Sequence, residues 1–321
     1  MKFLYIAIIL ITSNFTYGYD RITGLEFASR SEVIATNGMA ATSHPLATQT
    51  AISILKAGGN AIDAAIAANA VLGLVEPTGC GIGGDLFAIV WSADDKKLYG
   101  LNSSGPAPKN ISIDKLKAKG ITIIPPYGPL PVTVPGAVAG WNALHSKFGS
   151  LNFELLFNDA INYAENGFPV TELIAYYLNR SSEVFKDYPN FKKIWMPNGK
   201  TPLKGEIFKN KLLANDYRLI ASSYGTDFYQ GNIAKNIVES VNSLGGYFTL
   251  SDLSEFKPEW IDPVSTNYRG YDIWELPPNG QGIAALQILN ILENYDIKKL
   301  GFYSAEYIHL FTEAKKLAFE D

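Results

Sequence analysis

The amino-acid sequence predicts an α+β fold, because helical patterns lie before and after short stretches that have the composition of β-strands. Two helical stretches come first, separated by Gly58-Gly59. Two strand-like runs then follow within residues 86–102, joined by a turn rather than by a crossover helix, which is typical of an antiparallel hairpin. From residue 152 to about residue 241 the pattern is mostly helical.

The composition of the 321-residue chain is that of an ordinary globular protein, with 47% hydrophobic and 18% charged residues. The formal net charge is −4 and the sequence holds no basic block, so it gives no electrostatic basis for nucleic-acid binding.

The N-terminus predicts a signal peptide over residues 1–18. Lys2 precedes an apolar run from Phe3 to Ile11, and small residues lie just before Tyr19. The apolar run is shorter than the roughly 20 residues of a membrane-spanning helix. We therefore expect residues 19–321 to be exported to the periplasm or the extracellular space, with no membrane span after cleavage. An uncleaved N-terminal anchor is the alternative.

The first predicted elements follow from turn, cap and stop signals. Asn37-Gly38 is a hairpin turn signal. Pro45 opens a helix that continues to about Lys56, where the glycine pair stops it. Asn60 is placed to cap a second helix over residues 61–74, which is apolar on nearly all sides and is therefore predicted to be buried.

A glycine-rich loop occupies residues 78–85 (TGCGIGGD) and leads into a predicted buried strand over residues 86–91. A turn at Asp94-Asp95 and a second strand over residues 97–102 complete a hairpin. Phosphate-binding loops require the order strand, glycine loop, helix, and a P-loop also requires Gly-Lys-Ser/Thr. The sequence therefore excludes both the dinucleotide-binding and the P-loop interpretation.

The later elements are predicted from periodicity and caps. In chain order they are a helix that begins within residues 132–141 and ends near Phe148, a capped helix start at residues 251–255, a strand over residues 268–276, an amphipathic helix over residues 283–294, and a last helix from about residue 304 to residue 321. No cap closes the last helix, so we expect a truncated sequence that stops within a helix.

Side chains with catalytic chemistry are few. A cysteine hydrolase needs a histidine paired with its thiol, but His44, His145 and His309 lie in contexts that indicate neither such a pair nor a metal cluster. We expect Cys80 to be a small buried residue and the histidines to be structural or exposed. The pair Ser103-Ser104 has no base at a recognisable spacing, so a nucleophilic role is not predicted.

Several other positions are predicted to be structural. Asp63 interrupts the buried helix and must be paired or lie at a wet edge. Asp85 is a single carboxylate, for which we expect a capping role. Gly81, Gly83 and Gly84 are expected to permit tight packing or a positive φ rather than ligand contact.

Motifs along nearly all of the mature chain resemble the γ-glutamyltranspeptidase family. In chain order they are residues 55–66 (LKAGGNAIDAAI), 81–87 (GIGGDLF), 133–141 (TVPGAVAGW), 268–271 (YRGY), 277–283 (PPNGQGI) and 287–293 (QILNILE). The resemblance implies an N-terminal-nucleophile hydrolase fold, an αββα sandwich, of which residues 19–321 form the incomplete, large-subunit part.

The resemblance also implies the chemistry. A proenzyme cleaves itself, and the new N-terminal Thr of the small subunit is the nucleophile, with its own α-amino group as base. A γ-glutamyl unit, typically from glutathione, passes through an acyl-enzyme to water, an amino acid or a peptide. No metal or organic cofactor is implied. The nucleophilic Thr lies beyond Asp321, so the partner is the small subunit and the chain alone is expected to be inactive.

One stretch departs from the family pattern. Typical members carry, at the end of the strand after the glycine hairpin, an arginine that binds the α-carboxylate of the glutamyl group through two parallel hydrogen bonds. Residues 101–108 (LNSSGPAP) hold no arginine, and the family branch with a Leu-Asn-x-Ser-Gly-x-Ala-Pro stretch has one at the position of Pro106. We place Asn102, Ser103 and Ser104 at the acyl pocket as hydrogen-bond donors. The alternative is that they only form a strand end and a turn.

Three functions therefore stay open. The first is a γ-glutamyl hydrolase and transferase. The second is a related acylase of the cephalosporin or glutaryl type, which the missing arginine favours. The third is a catalytically inactive, truncated homologue. The loop over residues 277–282 is expected to line the site through its backbone. Asn102, Asn110 and Asn179 begin formal glycosylation sequons.

Overall fold

The computed structural model describes residues 32–320, so the predicted signal peptide lies outside the described residues. The chain divides into two compact units, residues 1–39 and residues 40–321. Of the first unit, residues 32–39 contain a bend at Thr36-Asn37 and no strand. The hairpin predicted at Asn37-Gly38 is therefore wrong for the described residues, because an Asn-Gly turn makes a hairpin only where paired strands flank it.

Helices make up most of the second unit. They are α1 (Pro45–Lys56), α2 (Ala61–Val75), α3 (Ile113–Ala118), α4 (Ala137–Phe148), α5 (Asn158–Asn166), α6 (Glu172–Phe185), α7 (Pro189–Trp195), α8 (Lys211–Ser222), α9 (Thr226–Gln230), α10 (Asn232–Ser243), α11 (Leu250–Ser254), α12 (Gly282–Leu292), α13 (Ile297–Leu300) and α14 (Ala305–Glu320), with a 3₁₀ helix at Phe153–Phe157. No helix within residues 32–320 is both long enough and apolar enough to cross a membrane.

The strands form small antiparallel sheets. They are β1 (Leu86–Ser92), β2 (Lys97–Ser103), β3 (Phe168–Pro169), β4 (Ile207–Phe208), β5 (Glu259–Ile261), β6 (Val264–Tyr268) and β7 (Tyr271–Glu275). β2 lies between β1 and β5, with Asn102 opposite both Phe87 and Glu259. β3 pairs with β4, and β6 pairs with β7. The strand predicted over residues 268–276 is thus partly wrong, because Arg269 and Gly270 have positive φ and form the turn of a hairpin.

Helix α2 is buried, as its composition predicts. Asn60 caps it, accepting hydrogen bonds from the backbone N–H groups of Ile62 and Asp63 in a complete capping box. The core continues through aromatic rings: Trp141 of α4 contacts Phe157, with ring centroids 5.6 Å apart. The hydroxyl of Tyr217 in α8 donates to the Ala70 carbonyl of α2 at 2.6 Å. The helical layer is therefore held by apolar burial, and the buried Tyr217 hydroxyl is satisfied inside it.

Strand β1 differs from its prediction as a strand buried on both faces. Its residues alternate, and Phe87, Ile89 and Trp91 are 43%, 40% and 59% exposed. The opposite face of β1 packs against the core, and α4 contacts β1 on that face. The apolar content indicates burial on two faces, but within residues 32–320 only one face is covered.

Other predicted boundaries are close to those observed. The helix predicted from residues 132–141 begins at Ala137, and the last helix is confirmed as α14. The predicted capped start at residues 251–255 overlaps α11, whose N-cap is Thr249. The Thr249 hydroxyl accepts from the Asp252 N–H, while the Asp252 carboxylate accepts from the Thr249 N–H.

Candidate functional site

Successive side chains along β2 point to opposite faces, so the three predicted pocket residues at its end do not all lie on one side of the sheet. Ser103 points into the fold, is fully buried, and donates its hydroxyl to the Gly136 carbonyl at 2.7 Å. It therefore anchors β2 to the N-terminus of α4. Asn102, on the opposite face, lies beside Phe87 of β1 and is half-buried.

Asn102, Ser104 and Asn279 form a closed cycle of hydrogen bonds, which we call the polar cluster. Asn102 Nδ2 donates to Asn279 Oδ1 at 2.9 Å, and Asn279 Nδ2 donates to Ser104 Oγ at 2.8 Å. Ser104 Oγ donates to Asn102 Oδ1 at 2.8 Å, and the Ser104 N–H reaches the same oxygen at 3.0 Å. The structure thus brings two of the predicted residues together and adds the side chain of Asn279.

Asn279 reaches the cluster from the loop between β7 and α12. This loop was expected to contribute its backbone, but it contributes a side chain. An open cleft beside it is lined by residues that include Phe87, Ile89, Glu275 and Gln281. The polar cluster therefore lies beside a cleft that borders the uncovered face of β1.

Glycines fit the end of β2 tightly against its neighbours. A Cβ built on Gly136 would lie 1.9 Å from the Ser103 carbonyl oxygen, and one on Gly105 would lie 1.8 Å from the Val134 carbonyl oxygen. Gly81 and Gly83, by contrast, would meet nothing within 4 Å, and neither has a positive φ. Within the glycine-rich loop, only a Cβ on Gly84 would make a close contact, 3.4 Å from the Gly81 carbonyl oxygen, and the tightest fit is found where β2 meets α4.

The charged side chains around the polar cluster are either carboxylates or are paired with residues outside the cluster. Asp85 accepts a hydrogen bond of 3.4 Å from the Gly105 N–H, in keeping with its expected structural role. The Lys109 ammonium donates to the Glu255 carboxylate, which raises the pKa of Lys109. Among residues 32–320, no hydrogen bond or ion pair joins an arginine or lysine side chain to the polar cluster.

The histidines are structural or exposed, as predicted. His145 has both ring nitrogens engaged, with Nδ1 2.8 Å from the Tyr224 hydroxyl and Nε2 2.8 Å from the Leu151 carbonyl. His44 is buried and caps α1, its Nδ1 accepting from the Leu46 N–H. His309 is exposed on α14.

Cys80 is half-buried in the glycine-rich loop rather than buried. Burial and the nearby Glu76 carboxylate both raise the pKa of its thiol, which disfavours the nucleophilic thiolate. Among the described residues, no group of three histidine, cysteine, aspartate or glutamate side chains is placed to hold a metal ion.

Asp63 is fully buried and fully paired. Its carboxylate accepts the N–H groups of Asn60 at 3.0 Å, Ser150 at 3.1 Å and Leu151 at 3.2 Å, together with the Ser150 hydroxyl. The expected pairing is confirmed, and it ties the start of α2 to the segment after α4.

The sequence of this chain is similar to those of known proteins. The sequence profile of the family described as "Gamma-glutamyltranspeptidase" matches residues 47–321. A glutathione hydrolase-like proenzyme of Bacillus subtilis is 39% identical over 90% of this chain and 55% of its own length. The chain spans about half the length of the curated relatives it matches.

Two solved structures share the fold. A cephalosporin acylase from Bacillus halodurans superposes with a TM-score of 0.84 at 44% identity, over 91% of this chain and 55% of that one. The γ-glutamyltranspeptidase of Helicobacter pylori superposes with a TM-score of 0.84 at 33% identity, over 90% of this chain and 84% of that one. This confirms that the described residues form the large-subunit part of an N-terminal-nucleophile hydrolase fold, and the chain belongs to the γ-glutamyltranspeptidase family.

Proposed function

We propose that the mature protein to which this chain contributes hydrolyses γ-glutamyl amides, glutathione among them, and transfers the γ-glutamyl group to water, amino acids or peptides. The observation that supports this most directly is the family match over residues 47–321, together with the fold shared with the Helicobacter pylori γ-glutamyltranspeptidase. The polar cluster beside the open cleft offers a place to hold the acyl group.

In the proposed reaction, the hydroxyl of a threonine outside this chain attacks the amide carbonyl while that residue's α-amino group takes the proton. The C–N bond breaks, the proton goes to the leaving amine, and the acyl group stays on the threonine as an ester. Water or an acceptor amine then attacks the ester and regenerates the hydroxyl. Asn102 and Ser104 contact the acyl group in this proposal, and Ser103 holds them in place through the Gly136 carbonyl.

The proposed partner is the small subunit of the same proenzyme, which would form a heterodimer with this chain. The uncovered face of β1 supports this assembly, because adjacent exposed apolar residues such as Phe87, Ile89 and Trp91 are typical of an interface. We propose that residues 1–18 direct export to the periplasm or the extracellular space.

An acylase of the cephalosporin or glutaryl type is the second candidate function. The observation that favours it is the fold shared with a protein described as a cephalosporin acylase. An inactive homologue is the third interpretation, and catalysis by the complete protein would remove it.

The test is to express the complete proenzyme and to measure p-nitroaniline release from γ-glutamyl-p-nitroanilide and glutaryl-p-nitroanilide. The proposal expects release from the γ-glutamyl compound. Release from the glutaryl compound alone would replace the γ-glutamyl function by the acylase function. Release from neither, with no acyl-enzyme detected by mass spectrometry, would support the inactive homologue.

A further inference from the structure

We infer that Asn279 is a specificity-determining residue, and that the polar cluster selects acyl groups whose far end carries both a hydrogen-bond donor and an acceptor, as the ammonium and carboxylate of a γ-glutamyl group do, rather than a carboxylate alone. This inference rests on the proposed function, because it places the acyl group of an amide substrate at the cluster. It adds a residue to that function and a requirement on the acyl group, a donor beside the acceptor, which separates γ-glutamyl and glutaramoyl groups from a glutaryl group.

The hydrogen bonds of the cycle determine what the cluster can still offer. Both acceptor positions of Asn102 Oδ1 are taken by Ser104, through its N–H and its hydroxyl. Asn102 Nδ2 and Asn279 Nδ2 each donate once within the cycle and keep one N–H. Asn279 Oδ1 and Ser104 Oγ each keep a lone pair. Two donors and two acceptors of the cluster therefore remain without a hydrogen-bond partner among residues 32–320.

A carboxamide or a hydroxyl uses both kinds of partner, because each has a donor and an acceptor of its own. A carboxylate has acceptors only, and it would leave the free lone pairs of Asn279 and Ser104 without a donor. By its hydrogen-bond pattern, the cluster thus matches a group that offers both a donor and an acceptor.

The charged groups near the polar cluster also disfavour a lone carboxylate on the acyl group. A carboxylate transferred out of water needs a cationic or strongly donating partner to offset its lost hydration. The Lys109 ammonium is held by Glu255, while Asp85 binds the Gly105 N–H directly after Ser104. Glu275 also lines the adjoining cleft. An anionic group would therefore meet neutral amides and neighbouring carboxylates.

The experiment uses the mature protein from the complete proenzyme and three p-nitroanilides of nearly equal length. Their acyl groups are glutaryl, which ends in a carboxylate, glutaramoyl, which ends in a carboxamide, and 5-aminopentanoyl, which ends in an ammonium. We expect kcat/KM for the glutaramoyl compound to exceed that for the glutaryl compound about tenfold, the effect of one well-placed hydrogen bond. Equal values, or a preference for glutaryl, would overturn the inference.

Asn279→Asp tests the residue itself. The change keeps the shape of the side chain but replaces a donor by an acceptor and adds a negative charge. We expect the ratio of kcat/KM for the ammonium compound to that for the carboxylate compound to rise about tenfold or more, by direct electrostatic interaction. A ratio equal to that of the unmodified protein would contradict the assignment.

Asn190→Asp is the matched control. Asn190 Nδ2 also donates to a serine hydroxyl, Ser240 Oγ at 3.1 Å, and Asn190 is exposed on α7. It carries the same chemical change without touching the polar cluster, so we expect the three substrates to keep their ratios. A shift as large as that of Asn279→Asp would show a general charge effect and overturn the inference.

A binding measurement distinguishes the failure of this inference from the failure of the proposed function. Calorimetry of glutaramate and glutarate with the mature protein needs no turnover. Tighter binding of glutaramate, lost in Asn279→Asp, would support the inference even if no p-nitroanilide is cleaved and the proposed function fails. Cleavage of the substrates without any dependence on the charge at position 279 would leave the proposed function standing and overturn the inference.

Discussion

Pro106 lies two residues after Ser104, at the position where the resemblance to the family branch implies an arginine. Its carbonyl accepts the Val134 N–H at 3.0 Å, a backbone contact that survives substitution of the side chain. We predict that Pro106→Arg increases kcat/KM for glutaryl-p-nitroanilide relative to glutaramoyl-p-nitroanilide about tenfold, because a guanidinium binds a carboxylate through charged hydrogen bonds. Steady-state kinetics of the mature protein with both compounds checks this.

Pro126→Arg provides the control for that change, since Pro126 is exposed in the connector before α4. Loss of a proline alters the unfolded chain in the same way at both positions. If Pro106→Arg and Pro126→Arg give the same substrate ratio, the stretch over residues 101–108 does not face the acyl group.

Asp63 joins α2 to the segment after α4 through four donors. Asp63→Asn leaves one oxygen where two accept, and it turns an amide N–H₂ toward N–H and O–H donors. We predict a loss of about 1.5–3 kcal/mol in the free energy of unfolding, as for other hydrogen bonds to a buried charged group. Urea denaturation measures it, with Asp94→Asn in the exposed turn between β1 and β2 as a control that should change little.

We expect His44 to contribute a pH dependence to the stability of the protein. Burial lowers its pKa below the ordinary value of 6.5, although Glu76 acts in the opposite direction. The unfolded chain therefore binds a proton more readily than the folded chain, so His44 contributes a loss of stability as the pH falls below about 6.5. We predict that His44→Asn, which keeps a capping side chain, reduces this loss. Unfolding free energies at pH 7.5 and 5.5 would show an unchanged difference if His44 were not responsible.

Local sequence rules predict the positions of some residues of the candidate site and not of others. Alternation along β2 already implies that Ser103 and Asn102 point to opposite faces, so the buried role of Ser103 was accessible from the sequence. The contact of Asn279 with Asn102 spans 177 residues. No local pattern carries such information, because it depends on how the hairpin of β6 and β7 places the following loop.

At the scale of elements, the packing of β2 against α4 controls the position of the polar cluster. We predict that Gly136→Ala costs about 1–3 kcal/mol of unfolding free energy, because its Cβ would lie 1.9 Å from the Ser103 carbonyl oxygen. It should also lower kcat/KM by displacing Asn102 and Ser104. Gly83→Ala has open space around its Cβ and should change neither quantity in denaturation and kinetic measurements.

The predicted elements agree with the structure where a local cap or stop signal defines the end of a helix. They differ from it where burial or pairing depends on neighbouring elements. Asn60 and the glycine pair after α1 define the start of α2 and the end of α1, as the sequence predicts. The burial of β1 cannot be derived in this way, since it depends on what lies on each face of its sheet. The break at Arg269-Gly270 was missed because the alternating pattern continues across the turn.

At the scale of the whole molecule, the uncovered face of β1 gives the last prediction. Ile89 lies at the centre of this face, between Phe87 and Trp91. We predict that Ile89→Glu prevents stable association with the proposed small subunit, because a carboxylate without a cationic partner is costly to bury in an interface. Size-exclusion chromatography of the processed protein at decreasing concentration would show separated subunits.

Ile113→Glu carries the same substitution at a residue that is 70% exposed on α3. It introduces the same charge away from the face of β1, so the heterodimer should elute as the unmodified protein does. Because Ile89 is itself 40% exposed, we expect Ile89→Glu to leave the helical content by circular dichroism unchanged. An intact heterodimer in Ile89→Glu at the lowest concentration would mean that another surface holds the small subunit and that the face of β1 stays open to solvent.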